Sequence, residues 1–127
     1  MSAIKHVRGR RVWDSRGRPT VEAEIVLHGG ARGRAIAPSG ASTGSGEAHE
    51  LRDGGTALRG LDVQRAVNNV NGPIAEALRG LDAHHQEKLD AALVRLDGTP
   101  DKSKLGGNAM VATSMALGRR VGKVPVL

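Results

Sequence analysis

A glycine- and hydroxyl-rich stretch, "APSGASTGSGEAHELRDGG" at residues 37–55, contains the residue types best suited to chemistry. Its hydroxyl groups belong to Ser39, Ser42, Thr43 and Ser45. Hydroxyl oxygens can ligate a hard cation or contact a phosphate, and a glycine-rich loop can close over a ligand. The same composition is typical of an ordinary surface loop, because glycine and serine are common in turns. Residue types alone leave both interpretations open.

Two other short motifs look like known sites, but their spacing does not fit. The run at residues 118–123 has three residues between its glycines, one fewer than a Walker A loop, and Val124 stands where a magnesium-binding hydroxyl is needed. His84 and His85 are adjacent, so on a helix they point about 100° apart and do not converge with Glu87 on a metal. No Ser/His/Asp or Cys/His frame is recognisable, so hydrolysis has no support.

The first third of the chain alternates apolar and polar residues, which is typical of half-buried strands. One face of the central run is formed by Val21, Ala23, Ile25 and Leu27. Similar runs at 4–13 and 32–37 predict a strand on either side. Because turn sequences separate the three runs, the sequence predicts a three-stranded antiparallel meander.

A helical period replaces this alternation from residue 62 onwards. Asp62 is the predicted N-cap of a helix with one apolar face. That face carries Val63, Ala66, Val67 and Val70. Because Pro73 lacks an amide hydrogen and clashes with the preceding turn, we expect a break or sharp kink at residues 71–72.

Two further helices complete the pattern. One is predicted to start after Asp82 and to end at Asp97, where Gly98 is placed as its C-terminal stop. The other runs from Asn108 to about Val121 and is rich in small residues, which allow close packing. Three strands followed by three to four helices predict an α+β domain.

Length and composition indicate one domain with an aliphatic core. The chain has 127 residues, 39% of them hydrophobic, and Trp13 is its only Phe, Tyr or Trp residue. The absence of cysteine excludes disulfides and thiolate metal sites. No stretch approaches the roughly 18 apolar residues of a membrane-spanning helix, and the N-terminus has no secretory signal. We therefore expect a soluble, cytoplasmic protein with no membrane partner.

The net charge of +6 is concentrated near the N-terminus. Residues 1–34 carry eight Lys or Arg residues against three acidic ones, a net +5. Such a surface could contact a nucleic acid or an acidic protein. The sequence has no zinc-ligand set or helix-turn-helix spacing, and one tryptophan offers little base stacking. We therefore expect no nucleic-acid partner.

Four long strings together resemble, in order and spacing, the N-terminal domain of enolase, the glycolytic phosphopyruvate hydratase. They are "DSRGRPTVE" (14–22), "PSGASTGSGEAHELRDG" (38–54), "AVNNVN" (66–71) and "LDGTPDKSKLGGNAMVATSMALGR" (96–119). The resemblance implies that residues 1–127 form the family's small α+β cap domain. The (β/α)8 barrel that completes an enolase is expected to be absent, since a barrel takes about 250 residues.

The resemblance also implies a role for the glycine-rich stretch. In enolases the matching segment is a mobile lid that closes over the phosphorylated substrate. The lid residues by match are Ser39, Gly40, Ala41, Ser42, Thr43 and Gly44. Ser42 would supply an oxygen to the second Mg²⁺ ion, once barrel and substrate are in place. The family's base and other metal ligands lie on the barrel, so no catalytic residue is expected in this chain and the chain alone is predicted to be inactive.

Three residues match family positions near the dimer interface: Asp14, Arg16 and Glu22. By the resemblance, Glu22 would pair with an arginine of a partner's barrel. From the residues alone, Asp14 also fits an Asx-type turn and Glu22 a solvent-facing strand residue. The implied partners are an enolase barrel domain or a second copy of this chain, with 2-phosphoglycerate bound only in a complete site.

Two functions are therefore open. The chain is either part of a magnesium-dependent enolase, a lyase, or a stand-alone enolase-like interaction module without activity. It differs from the family pattern at Arg18, at residues 45–46, at residues 72–73 and along residues 55–62, which lie in and around the glycine-rich loop and its support.

Overall fold

The computed structural model describes residues 3–38, 50–100 and 102–119. A three-stranded antiparallel sheet, in the order β1-β2-β3, comes first in the chain. The strands are β1 (Ile4–Trp13), β2 (Pro19–Leu27) and β3 (Arg32–Ile36). The predicted meander is confirmed, with β2 at its centre.

The inner face of the sheet follows the alternation seen in the sequence. Val21, Ala23 and Ile25 of β2 are fully buried, and Ala23 lies opposite Gly9 of β1 and Ala35 of β3. This register places the apolar residues of all three strands on one side, because neighbouring residues in a strand point to opposite faces.

Three helices follow the sheet, which confirms the α+β class: the first and the last cover its inner face, and the middle one packs against those two helices. The first comprises α1 (Gln64–Asn69), a π-helical turn (Val70–Ile74) and α2 (Ala75–Leu78). It is followed by α3 (Gln86–Asp97) and α4 (Gly107–Arg119). Helix α4 contacts both β2 and β3 and buries Met110 and Leu117 completely. No helix in the described part of the chain is long and apolar enough to cross a membrane.

The first helix does not break before Pro73, which was one of the two outcomes predicted at residues 71–72, and it continues through the proline with a π-helical turn. The amide of Ala75 donates to the carbonyl of Val70, five residues earlier, which widens the turn around Pro73. A wider turn makes room for the proline ring, which clashes with the carbonyl four residues earlier in a regular α-helix. The helix therefore changes its hydrogen-bonding pattern there and does not end.

The same turn packs against β1 at a glycine. The side-chain amide of Asn71 pairs with the backbone of Gly9: Gly9 N donates to Asn71 Oδ1 over 2.8 Å, and Asn71 Nδ2 donates to Gly9 O over 3.0 Å. A Cβ on Gly9 would lie 2.7 Å from Cβ of Val70. Only glycine lets the helix approach the strand this closely.

The core contains aliphatic side chains and no aromatic one among the described residues. Its largest fully buried side chains are Ile4, Ile25, Ile74, Leu78, Leu89, Leu93, Met110 and Leu117. The single tryptophan, Trp13, is 53% exposed at the end of β1. The expected aliphatic core is confirmed.

A buried carboxylate organises the connection from α3 to α4. Gly98 ends α3 with φ of +74°, as predicted. Asp97 is buried and accepts hydrogen bonds from the amide and hydroxyl of Thr99 and, over 2.7 Å, from the amide of Leu105. One side chain thus fixes both ends of the connection.

Replacement of this carboxylate should destabilise the domain. We expect Asp97→Ala to lower the free energy of unfolding by about 2–4 kcal/mol, because buried amides lose their acceptor. Asp90→Ala on the same helix is the matched control and should cost less than about 1 kcal/mol, since Asp90 accepts one hydrogen bond, from Gln86. Urea denaturation measures both; equal losses would contradict the role of Asp97.

Candidate functional site

The candidate site is the glycine-rich segment together with the residues that hold its two ends. The predicted lid residues Ser39, Gly40, Ala41, Ser42, Thr43 and Gly44 lie outside the described residues, as does the rest of 39–49. The described chain reaches Pro38 on one side and resumes at Glu50 on the other. The structure therefore shows the site only where the chain on either side of residues 39–49 is attached to the domain.

The first attachment joins Ala37 to the start of β2. Ala37 N donates to Val21 O over 2.8 Å, and the hydroxyl of Thr20 donates to Ala37 O over 2.8 Å. Thr20 and Ala37 are both almost fully buried. The chain is thus held firmly up to the residue before Pro38.

The second attachment joins Leu51 to the start of α4 through Asn108. Asn108 Oδ1 accepts from Leu51 N and Asn108 Nδ2 donates to Leu51 O, both over 3.1 Å. The same oxygen accepts from Ala109 N over 3.1 Å. Gly106, with φ of +98°, must be glycine here, since a Cβ would lie 2.6 Å from Cβ of Leu51.

Arg52 connects the second attachment to β2 through hydrogen bonds of its side chain. Its Nη1 donates to Pro19 O and to Leu61 O, both over 2.7 Å, and its Nη2 lies 3.3 Å from a carboxylate oxygen of Glu50. Both ends of the 39–49 segment are therefore fixed beside residues 19–21 of β2.

Asp53, and not Asp62, caps the first helix. The carboxylate of Asp53 accepts from Gln64 N over 3.0 Å and from Arg65 N over 2.9 Å. The prediction of Asp62 as N-cap is wrong because its Oδ1 accepts from Val63 N, while both of its oxygens accept from Arg11 Nη1 at 3.0 and 3.1 Å. A carboxylate eleven residues from Gln64 in sequence thus satisfies the first free amides of the helix.

The charge of Arg11 also acts on Asp62. Partial burial raises the pKa of the Asp62 carboxyl, but the hydrogen bonds from Arg11 and Val63, with the charge of Arg11, outweigh it and lower the pKa below its usual value. This ion pair ties β1 to the segment that precedes α1.

The predicted interface residues Asp14 and Arg16 share the turn between β1 and β2. Asp14 Oδ1 accepts from the amides of Arg16 and Arg18 over 2.8 and 2.9 Å, which is the Asx-type turn expected from the sequence. The Arg16 side chain lines the hollows beside Trp13.

Glu22 lies apart from that turn, on the outer face of the sheet. It is only 7% exposed, so it is not the solvent-facing residue that the strand pattern allowed. Arg10 Nε lies 2.5 Å from its Oε1, and Arg34 Nε lies 4.0 Å from its Oε2. Within its own chain Glu22 thus has two arginine partners, and its pairing with a partner's barrel stays a prediction.

No metal centre is formed by the described residues. Within 3–38, 50–100 and 102–119, no three His, Asp or Glu side chains are close enough together to hold an ion. Ser42, the one residue expected to contact magnesium, lies in the segment outside those ranges. What the described residues show at this site is how Ala37 and Leu51 are held on either side of residues 39–49.

Sequence reasoning missed Arg52 and Asn108, which hold the end of the segment, as well as Asp53, which caps α1, and Asn71, which joins the first helix to β1. Their distant partners are backbone groups 9–62 residues away, which no local period indicates. The one available signal was a polar amide, Asn108, within the otherwise small and apolar start of α4.

Loss of the amide of Asn108 should weaken the second attachment. We expect Asn108→Ala to lower the free energy of unfolding by about 2–4 kcal/mol, because Leu51 loses the partners of its N–H and C=O groups. Asn68→Ala, at an exposed asparagine whose side chain accepts a hydrogen bond from Gln64, should change it by less than about 0.5 kcal/mol. Thermal or urea unfolding distinguishes the two; a small loss at Asn108 would contradict the anchoring role.

The Arg11–Asp62 pair should make stability depend on pH. Because the folded-state pKa of Asp62 is lowered, its contribution is present above its unfolded pKa of about 3.9 and is lost as the pH falls through the folded value. We expect Asp62→Asn to cost up to about 1 kcal/mol at neutral pH and progressively less in acid. Urea unfolding across this range measures it, and Asn68→Ala, which removes no ionisable group, should show no such trend. A pH-independent loss would contradict the ion pair.

Comparison with known proteins identifies the family. The family model "Enolase, N-terminal domain" matches residues 4–124. "Enolase 1" of Lactococcus lactis subsp. cremoris is 52% identical over 126 residues, which cover 97% of this chain and 30% of that protein. "Enolase" of Lactobacillus delbrueckii subsp. bulgaricus is 56% identical over 113 residues, which cover 89% of this chain and 27% of that protein. The chain spans less than a third of the length of these relatives, and it belongs to the enolase family as its N-terminal domain.

Proposed function

We propose that this chain serves as the cap domain of an enolase and contributes its lid segment to the magnesium-dependent dehydration of 2-phosphoglycerate to phosphoenolpyruvate in glycolysis. The reaction requires a barrel domain, joined to this chain or bound to it. The observation that carries the proposal is the family match over residues 4–124, which includes the whole glycine-rich segment. A cytoplasmic location and assembly as a dimer are part of the same proposal.

The two attachments of residues 39–49 support the lid role. Ala37 is held by residues 20 and 21 of β2, and Arg52 is held by residue 19. A loop with both ends fixed at one place can close over a ligand with little change in the structure of the rest of the domain. In this role the lid would exclude water from the bound substrate.

Ser42 is the residue of this chain proposed to contact magnesium. Magnesium takes oxygen ligands and commonly combines one or two protein groups with substrate phosphate, so a single hydroxyl fits as one ligand among several. In such a site the ion stabilises negative charge that develops on the substrate carboxylate. The remaining ligands and the base would come from the barrel.

Glu22 and the turn of Asp14 and Arg16 are proposed to face a partner subunit. Glu22 already lies between Arg10 and Arg34, so a partner's basic side chain would compete with the chain's own arginines. A partner that presents a carboxylate together with its arginine would pair with the displaced arginine of this chain, so that every charge keeps an opposite partner.

A domain exchange tests the proposed function. We expect this chain to show no dehydration of 2-phosphoglycerate alone, and to give an active enzyme when it replaces the matching N-terminal residues of Lactococcus lactis Enolase 1. In that chimaera, Ser42→Ala should lower kcat by about 10–100-fold, as loss of a metal contact does, while Ser45→Ala should retain most activity. Formation of phosphoenolpyruvate is followed by its ultraviolet absorbance.

Three results would count against the proposal. Turnover by the isolated chain would contradict the need for a barrel. A folded but inactive chimaera would favour the stand-alone module without activity. Equal losses for the two serine variants would remove the specific role of Ser42.

A further inference from the structure

The pair Asn71-Gly72 lies in the π-helical turn of the first helix and has a chemical property that the proposed function does not use. Asparagine followed by glycine readily loses its side-chain amide, because glycine has no side chain to hinder attack by its own backbone nitrogen. The chain contains four asparagines, and the other three are followed by Asn69, Val70 and Ala109. Asn71 is therefore the asparagine of this chain with the highest intrinsic reactivity.

The reaction is a ring closure that consumes only water. The backbone nitrogen of Gly72 attacks Cγ of Asn71 and forms a new carbon–nitrogen bond. The side-chain amide leaves as ammonia, with the proton that the Gly72 nitrogen loses. Water then opens the five-membered succinimide at either of its two carbonyl groups, which leaves aspartate or isoaspartate at position 71.

In the folded domain the side chain of Asn71 is held against β1 by two hydrogen bonds. Gly9 N donates to Asn71 Oδ1 over 2.8 Å, and Asn71 Nδ2 donates to Gly9 O over 3.0 Å. We call these two bonds the Gly9 pair. Ring closure requires the side chain to leave Gly9 and the backbone to leave its helical conformation, since a helix directs the next amide along its axis. The Gly9 pair therefore protects Asn71 while the first helix stays on β1.

The Gly9 pair requires an amide at position 71. Strand β1 is an edge of the described sheet, with β2 as its neighbour. At this edge Gly9 presents one donor and one acceptor, and the amide of Asn71 satisfies both. A carboxylate has acceptors only, so it would leave Gly9 O without its donor and bring two oxygens together. These contacts join two segments of the same chain and need no partner.

Isoaspartate would disturb the helix as well as the Gly9 pair. It lengthens the main chain by one carbon atom, because the backbone then runs through the former side chain. Ile74 and Leu78 follow in the same helix and are fully buried. An additional main-chain atom before them changes the direction in which both side chains point, so the close-packed core cannot form again as before.

Glycine at position 72 is not required by packing. A Cβ on Gly72 would approach no atom of the described residues beyond its own stretch of helix within 4 Å, and Gly72 is not among the glycines with positive φ. Gly9 differs, since a Cβ there would lie 2.7 Å from Cβ of Val70. Alanine therefore fits at position 72, and the reactive pair can be removed without a change in the fold.

We propose that Asn71 is a deamidation site that reacts only when the first helix separates from β1, and that its conversion prevents the helix from returning. The extent of modification then records how often this junction has opened, because the reaction proceeds from the open state alone. The site is separate from the proposed enolase reaction and does not depend on it.

A comparison with an unfolded peptide tests the protection. The folded chain and a peptide of residues 66–76 are kept in the same mildly alkaline buffer, and mass spectrometry of proteolytic fragments follows deamidation at Asn71. We expect the folded chain to react at least about 100-fold more slowly, because a packed helix must open first. Asn108 forms a similar pair with the backbone of Leu51 but precedes Ala109, so it is an internal control that should stay unmodified.

Three variants test the local junction. Val70→Ala removes atoms that pack on Gly9, and Val21→Ala makes the same change in β2, where the valine is also fully buried. At urea concentrations that give both the same free energy of unfolding, Val70→Ala should react at least about threefold faster. Gly72→Ala should slow the reaction at least about tenfold, because a methyl group hinders ring closure. Circular dichroism verifies that each variant folds.

The effect of the product is measured with Asn71→Asp. Loss of the amide donor should lower Tm by about 5–10 °C. Asn68→Asp on the same helix is the matched control, since Asn68 Oδ1 accepts from Gln64 Nε2 and a carboxylate can do the same. It should change Tm by less than about 2 °C.

Four results would overturn the proposal. They are reaction of the folded chain at the rate of the peptide, equal rates for the two valine variants, unchanged deamidation in Gly72→Ala, and an unchanged Tm for Asn71→Asp. If Val70→Ala does not fold, hydrogen exchange of the Gly9 amide in the parent replaces it. The protection factor of that amide should then match the slowing of deamidation to within about tenfold, and a larger difference would contradict the Gly9 pair as the guard. None of these measurements involves turnover, so each leaves the proposed enolase function untouched.

Discussion

The hydrogen bonds between Asn108 and the backbone of Leu51 are the interaction on which the candidate site depends. They fix the point at which the chain re-enters the domain after residues 39–49. Arg52 and Asp53 follow immediately and bind the start of β2 and the first turn of α1. A buried amide without its partner costs about 1–3 kcal/mol, so these contacts are mutually reinforcing. The described residues on either side of 39–49 are thus held by the packed helices and sheet together.

Local patterns predicted the elements of this fold but not the contacts between them. The period-2 and helical patterns placed β1, β2, α3 and α4 close to their observed bounds, since each depends on neighbouring residues alone. The assignment of Asp62 as N-cap failed because Asp53, from another segment, takes that place. The break that was one of two predicted outcomes at residues 71–72 is absent, because a widened π-helical turn accommodates Pro73, and the alternative of a kink stays a prediction. The lid role of residues 39–44 comes from the family resemblance and stays a prediction, whereas the residues that hold the flanks of 39–49 required the three-dimensional structure.

Two basic surfaces of this domain differ in how their charge is balanced. On the outer face of the sheet, arginines of β1 and β3 lie beside Glu22 and Glu24 of β2, so much of the charge is satisfied within the chain. Around Trp13, the Arg11 side chain pairs with Asp62, whereas Asp14 accepts from the backbone amides of Arg16 and Arg18. Acidic side chains thus accompany the arginines on both surfaces, through side-chain pairs on the sheet and partly through backbone amides in the turn.

The π-helical turn at Val70–Ile74 restricts how many residues the first helix can contain. A π-helical turn contains one residue more than an α-helical turn, and each residue of an α-helix rotates the chain by about 100°. Deletion of one residue here would restore a regular helix but turn Ile74 and Leu78, both fully buried, away from the sheet. Insertions and deletions that accumulate in related sequences should therefore be excluded from this helix and confined to surface turns, even where the residue types within the helix vary.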